Sequence, residues 1–186
     1  KGAYQTFIDK ISGLIKDHNL SDNPTTDTRA LAFNYLNNAL SELDNVMKGQ
    51  LVQFLYQCNL IDSNPKLRLI GANFSPTNMD NIILTSAEIR GAYFSDSSIK
   101  NAKLSHACFN SCDFHNTDFT GSKVDNTDFS YAKMNGVKLI DMDLTSVNFE
   151  GVELEKADFS GSKITQAQLD SIFNKKGIKI KKAIII

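Results

Sequence analysis

Large apolar residues recur at every fifth position through the middle of this chain. From Leu69 onward in steps of five, every position through Leu169 holds Leu, Ile, Val, Met or Phe. The position two residues earlier is mostly small or β-branched, as at Ala92, Ser97 and Ala102. The residue between these two is usually polar, and Gly or Asn often stands two places after the large residue. The pattern predicts a continuous structural repeat.

A period of five residues fits neither of the standard secondary structures. An α-helix needs an apolar period of 3.6, and a half-buried strand needs a period of 2. The chain must therefore change direction every five residues, so that each short side points one large and one small side chain inward. Gly and Asn at the corners supply turn conformations that other residues resist.

The repeat unit strongly resembles that of the pentapeptide-repeat family. Two stretches match the family unit almost letter for letter: Thr117-Asp118-Phe119-Thr120-Gly121 and Ala157-Asp158-Phe159-Ser160-Gly161. The resemblance implies a mainly β solenoid, a right-handed, four-sided parallel β-helix with about twenty residues per coil, and hence roughly five coils here.

A twenty-residue step, which the resemblance implies, would stack the large side chains in ladders along the solenoid axis. The two expected ladders are Ile89, Phe109, Phe129 and Phe149, and Phe74, Phe94, Phe114, Met134 and Leu154. Burial of each such side chain is worth about 1.5–3 kcal/mol. We therefore expect a filled interior that leaves no lumen for a substrate or an ion.

The first 66 residues predict an α-helical capping region. Apolar residues at helical spacing indicate helices over 1–17, about 28–43 and about 46–57, with Asn59 and Pro65 marking the exit. The segment 48–61 looks like the helical lead-in of some bacterial-type pentapeptide-repeat proteins. A membrane-spanning region often precedes that lead-in, so the likeness leaves room for a membrane anchor upstream of Lys1, outside this chain.

We expect the β-helix to span residues 67–164 and a C-terminal helical cap with a tail to span 165–186. The stretch from Thr165 to Phe173 predicts a short helix with Thr165 as its N-cap, and Leu169 then belongs to this cap. The tail ends in three consecutive apolar residues, Ile184, Ile185 and Ile186. It either self-associates with a second molecule or covers the last coil of its own chain, and the sequence leaves both open.

Charge is unevenly distributed although the net charge is only −1. Residues 1–71 are neutral, residues 72–170 carry eight basic against fourteen acidic residues, and residues 171–186 carry five lysines and no acid. An acidic body makes nucleic acid an unlikely partner. The three cysteines, Cys58, Cys108 and Cys112, argue against a disulfide framework and favour a reducing, cytoplasmic location.

One cluster of residues has the composition of a zinc site: His106, Cys108, Cys112 and His115. The repeat places Cys112 at a small inward position, whereas Cys108 and His115 fall at outward positions beside different corners. Because these side chains cannot readily converge, we predict no metal site. The cysteine at position 112 is interpreted as a small core residue.

Catalysis is not predicted either. The outward carboxylates Asp113, Asp118, Asp125, Asp128 and Asp158 fall on a convex, solvated surface, where a general acid lacks the burial that tunes its pKa. The sequence shows no Ser/His/Asp set, phosphate-binding loop or dinucleotide motif. We therefore expect no enzyme, no cofactor and no catalytic or cofactor-binding residues.

The resulting hypothesis is a non-catalytic structural or adaptor protein, a rigid repeat scaffold that binds a protein partner not identified by the sequence. The alternative is a DNA mimic that inhibits a DNA-binding enzyme such as DNA gyrase, because the family includes acidic, rod-shaped proteins of that kind. Seven lysines interrupt the acidity of residues 72–170, and the modest charge disfavours this alternative.

Overall fold

The N-terminal region is helical, as predicted. The computed structural model describes residues 2–172 and 174–186, and it opens with α1 (Ala3–His18), α2 (Thr26–Leu40) and α3 (Asn45–Gln57). The Thr25 hydroxyl accepts the Thr28 N–H, and the Asp44 carboxylate accepts the Met47 N–H. Each of these N-caps satisfies a backbone donor that the first helical turn leaves unpaired.

The second helix begins two residues earlier and ends three residues earlier than the sequence pattern suggests. Capping by Thr25 sets its start. At the other end, the Leu43 N–H bonds the carbonyl of Ala39 in a turn, so Leu43 remains buried although it lies outside the helix. The sequence pattern predicts a longer helix because Leu43 is apolar and in register with the buried side. Burial alone does not distinguish the last turn of a helix from the turn that follows it.

The repeat region makes parallel bridges between residues twenty positions apart. Asn73 bridges Tyr93, Tyr93 bridges Asp113, and Asp113 bridges Lys133. Four such bridge positions, five residues apart, occur in each twenty-residue turn, beginning at Asn73, Asn78, Ile83 and Glu88. On each side of a turn only one residue bridges to the next turn, so the extended segments of the repeat are very short.

Both predicted ladders are confirmed inside the repeat region. The rings of Phe109 and Phe129 stack with centroids 5.6 Å apart, and those of Phe129 and Phe149 with centroids 6.3 Å apart. Phe74, Phe94 and Phe114 form the second stack, with spacings of 5.1 and 5.3 Å. These side chains are almost completely buried, so the axis of this region is filled.

The corners adopt left-handed backbone conformations, as the Gly and Asn positions predict. Gly121 has φ +71°, and Asn101 has φ 54°. His106, Tyr131 and Lys156 occupy corners with φ of 62°, 58° and 61°. Non-glycine residues rarely adopt this region, so the regular pairing of neighbouring turns holds these residues in a conformation that they would not choose locally.

The helical region hydrogen-bonds to the first turn of the repeat. Between later turns, a bridging N–H donates to a carbonyl of the preceding turn, as Ser98 does to Thr77 at 2.9 Å. In the first turn, the Asn78 N–H donates instead to the carbonyl of Asn45 at 2.9 Å. The Tyr56 hydroxyl donates to the carbonyl of Thr85 at 2.8 Å. Residues of α3 thus occupy places that a preceding turn would fill.

The C-terminal segment continues the parallel pairing. Strand β1 (Lys163–Ile164) pairs in parallel with β2 (Ile184–Ile185), and the short helix α4 (Gln166–Ser171) lies between them in sequence. Thr165 and Gln168 form a capping box at the start of α4. The bridging interval grows from 20 to 21 residues, as between Asp158 and Lys179. Lys1 and Phe173, which were assigned to predicted helices, lie outside the described residues.

The isoleucine tail therefore pairs within its own chain, although its side chains remain exposed. Ile180 and Ile185 follow Phe159 and Ile164, which occupy large inward positions in the preceding turn. Since no further turn covers them among the described residues, 47 % of Ile180 and 42 % of Ile185 stays accessible. No helix within the described ranges is long and apolar enough to cross a membrane.

Candidate functional site

The outward side chains form columns along the repeat, because bridged residues lie directly beside one another in successive turns. One column consists of residues that all face outward on one side: Asn78, Ser98, Asp118, Lys138, Asp158 and Lys179. This surface, rather than an interior cleft, is what the repeat region presents to other molecules.

Aspartates of these columns are held by their own turns. An Oδ1 atom of Asp118 accepts the Thr120 N–H at 3.0 Å, and Asp158 accepts the Ser160 N–H at the same distance. Partial burial raises the pKa of Asp118, but hydrogen bonds from Thr120 and the ion pair with Lys138 outweigh it and leave the pKa below its ordinary value. These carboxylates are anchored anions rather than proton donors at neutral pH.

Lysines of neighbouring turns compensate much of this negative charge. Lys138 Nζ lies 3.3 Å from Asp118, and Lys179 Nζ lies 3.8 Å from Asp158. Exposed pairs of this kind add little stability. The lysines do, however, give this surface alternating positive and negative charges, unlike the surface of a uniform polyanion.

The structure separates the four residues of the zinc-type cluster. Cys112 lies in the core, where its thiol donates to the carbonyl of Ile89 at 3.0 Å and burial raises its pKa to about 12. His115 Nδ1 lies 2.7 Å from Asp113 Oδ1, and His106 occupies a corner. Across the described ranges, no three His, Cys, Asp or Glu side chains are grouped so that they could hold a metal ion.

Cys108 differs from the prediction in one respect. It stands in an outward column between Glu88 and Asp128, yet only 7 % of it is exposed. Its thiol lies 3.7 Å from Asp128 Oδ2, and burial raises its pKa. A short side chain between two longer ones is covered by them, so an outward position does not by itself make a residue accessible.

The aspartates considered as general acids are engaged in separate local interactions. Asp113 accepts a hydrogen bond from Ser95 Oγ at 2.8 Å, and Asp125 accepts one from Ser105 Oγ at 2.9 Å. Asp128 accepts the Ser130 N–H at 2.9 Å. Their carboxylates bind their own turn or the neighbouring turn rather than meeting around a shared point.

Sequence reasoning missed a cavity of about 320 Å³ at the start of the repeat. Its lining combines apolar and charged residues: Pro65, Arg68, Leu69, Ile70, Glu88 and Arg90. The available signal was composition, since arginine occurs at only three positions, Arg29, Arg68 and Arg90, and two of these line the cavity.

Two family models match the repeat region. The model described as pentapeptide repeats (8 copies) matches residues 68–101, and that of the pentapeptide repeat region matches residues 92–169. Together they span the part of the chain in which the twenty-residue pairing is observed. A comparison with curated proteins finds no match.

Solved structures of pentapeptide repeat proteins are also similar to this chain. HetL, a protein involved in heterocyst differentiation regulation from the cyanobacterium Nostoc sp. strain PCC 7120, matches with a TM-score of 0.50 and 23 % identity. The match covers 63 % of this chain and 51 % of HetL, so it spans about half of that protein. Rfr23 from the cyanobacterium Cyanothece 51142 matches with a TM-score of 0.32 and 18 % identity, over 64 % of this chain and 84 % of that one. The likeness to HetL shows a solenoid of the β-helix type.

Proposed function

The chain belongs to the pentapeptide-repeat family, and on that premise we propose that it is a non-catalytic scaffold or adaptor that binds a protein partner. The observation that carries the proposal is the filled axis: stacked rings such as those of Phe109 and Phe129 occupy the interior. Such a core leaves the outward columns as the surface on which recognition takes place.

The rigidity of those columns supports a scaffold role. The N–H of Thr120 is bound by Asp118, and Lys138 in the next turn pairs with the same carboxylate. Side chains held in place by their own turns lose less conformational entropy when a partner binds. A preorganised surface of this kind suits protein recognition better than it suits chemistry on a small substrate.

Affinity capture with crosslinking in the native host tests the scaffold proposal. We expect the wild-type protein to yield reproducible crosslinks from residues of the outward columns to a small set of partners. Reproducible turnover of a small molecule, abolished by substitution of a defined set of residues, would overturn the proposal. The cytoplasmic location remains a proposal, supported by three cysteines that form no disulfide.

For the finer architecture, we propose a right-handed, four-sided solenoid of about five coils over residues 67–164. Four bridge positions per twenty-residue turn support the four sides. Residues 1–66 would cap the first coil, as supported by the bond from Asn78 to Asn45, and residues 165–186 would close the other end. A crystal structure at a resolution that traces the main chain decides both the handedness and the number of sides.

We further propose that the tail mediates self-association. Ile184 and Ile186 are 51 % and 65 % exposed, and Ile180 and Ile185 nearby in the tail are also partly exposed. Contiguous exposed apolar residues of this kind are typical of an interaction surface. Light scattering should give a larger mass for wild type than for an Ile186→Lys variant, whereas equal monomer masses at high concentration would refute self-association.

A further inference from the structure

The ladder of backbone hydrogen bonds is interrupted beside the cavity at the start of the repeat. One turn later, the Ile89 N–H donates to the carbonyl of Cys108 at 2.8 Å. The equivalent bond, from the Leu69 N–H to the carbonyl of Glu88, is not formed. The pairing also differs on the other side of Glu88: the Cys108 N–H donates to the carbonyl of Ala87 in the preceding turn, whereas the Glu88 N–H donates to the carbonyl of Ile61. Neither the Leu69 donor nor the Glu88 acceptor has a backbone partner within the described part of the chain.

The gap between these two segments is the cavity described above. Its apolar wall is formed by Pro65, Leu69 and Ile70, and Ile70 is 61 % exposed although it is a large aliphatic residue. An unpaired donor and acceptor beside an apolar wall match the needs of an extended peptide, which offers one carbonyl and one N–H per residue in addition to its side chains.

Two guanidinium groups stand at the same place. Arg90 Nε donates to Glu88 Oε2 at 2.8 Å, so this arginine is already paired with a carboxylate. The Arg68 side chain forms no hydrogen bond or ion pair with any residue that the structure describes, and it is exposed. The lining therefore has one uncompensated positive charge in a body that is otherwise acidic.

We propose that this cavity binds an extended segment of a partner protein, with a carboxylate of that segment held by Arg68. The planar guanidinium matches a carboxylate with two parallel hydrogen bonds. Because Arg90 is paired with Glu88, the one uncompensated charge of the lining matches a single carboxylate better than a phosphate, which carries close to two negative charges at neutral pH. The proposal rests on the scaffold function, and it specifies where a partner binds and that Arg68 recognises a carboxylate of that partner.

Arginine side-chain NMR tests the proposal directly. The chain has three arginines, so a sample labelled with ¹⁵N-arginine gives three Nε–H signals. The probe is the peptide acetyl-Val-Ala-Glu-Ala-Val-amide, and its control carries Gln in place of Glu. We expect saturable shifts at Arg68 and Arg90 with the Glu peptide only, and none at Arg29.

Matched variants separate site binding from general charge. Arg68→Gln should weaken binding of the Glu peptide about tenfold or more, while Arg29→Gln should leave it unchanged and both variants should keep the wild-type melting temperature. Equal binding of the Gln peptide, or shifts of all three arginines together, would overturn the proposal. Sodium acetate or inorganic phosphate that binds as tightly as the peptide would overturn it too, because the site would then be one for small anions.

The crosslinking experiment distinguishes failure of this site from failure of the scaffold function. If wild type and Arg68→Gln capture the same partners to the same extent, the site is wrong and the scaffold stands. If wild type captures no partner under any condition, the scaffold function itself fails.

Discussion

Replacing Gly49 by alanine should destabilise the protein, although the same change normally stabilises a helix. Gly49 lies in α3, where alanine is intrinsically favoured over glycine by about 1 kcal/mol. A Cβ atom at Gly49 would overlap the carbonyl oxygen of Asn78 in the first turn of the repeat, and it would lie 3.0 Å from the carbonyl carbon. Since backbone cannot swing aside as a flexible side chain can, α3 must move away.

The magnitude follows from what that movement would disturb. Overpacking costs about 1–3 kcal/mol. The shift would also strain the bond from the Asn78 N–H to the carbonyl of Asn45 and the bond from Lys48 Nζ to the carbonyl of Ser75, both 2.9 Å long, each worth about 1 kcal/mol. With both bonds lost and the gain of about 1 kcal/mol in helix propensity subtracted, we expect a net loss of about 2–4 kcal/mol in the free energy of unfolding.

Gly13→Ala is the matched control, because Gly13 lies within α1 and a Cβ there would meet nothing within 4 Å. It should raise the free energy of unfolding by up to about 1 kcal/mol. Urea denaturation followed by circular dichroism at the helical minimum measures both variants. If Gly49→Ala raises the midpoint as Gly13→Ala does, α3 does not dock on the repeat as described.

Three further predictions concern the core, the buried thiol and the alternative function. Phe129→Ala should lower the free energy of unfolding by about 3–5 kcal/mol, because that ring is fully buried between stacked rings. Asp128→Ala, one residue away, should lower it by about 1 kcal/mol, and equal melting temperatures of the two variants would show that the register is wrong. Burial raises the pKa of Cys112 from 9.0 to about 12, so the unfolded chain loses the thiol proton first and stability should fall as the pH rises from about 9 to about 12. In Cys112→Ala the urea midpoint should therefore fall less between about pH 8 and pH 10.5 than in wild type. An equal fall in both proteins would contradict burial of the thiol. In a supercoiling assay the protein should not inhibit DNA gyrase, because lysines such as Lys138 neutralise the aspartates beside them; inhibition at low micromolar concentration would favour DNA mimicry.

The five-residue pattern was sufficient to predict which side chains line the core. Phe109, Phe129 and Phe149 are twenty residues apart in sequence, and one side chain per short side must point inward for the chain to bury its apolar residues. The separation of Cys112 from the outward residues of the zinc-type cluster followed from the same rule. Periodic burial is a local property of the sequence, so it can be read without a structure.

The cavity at Arg68 and Arg90 could not be predicted in this way. Periodicity assigns an inward or outward position to each residue, but it does not report whether the backbone of one turn hydrogen-bonds to the next. The missing bond would join the Leu69 N–H to the Glu88 carbonyl, and its absence depends on the path of the chain after α3. The same path brings the carbonyl of Ile61 to the Glu88 N–H. That path is set by packing of the helices on the repeat.

The sequence by itself determined the repeat and its inward and outward positions, because each depends on residues within one five-residue unit or on simple repetition of that unit. It also determined the left-handed corners at which Gly or Asn stands, whereas a corner such as His106 depends on the pairing of neighbouring turns. Only the tertiary structure decided how the ends are joined to the repeat. The contact of Gly49 with Asn78, the burial of Cys108 and the pairing of Ile184–Ile185 with Lys163–Ile164 all bring together residues from different units. Such contacts depend on the three-dimensional path of the whole chain, and no local pattern encodes them.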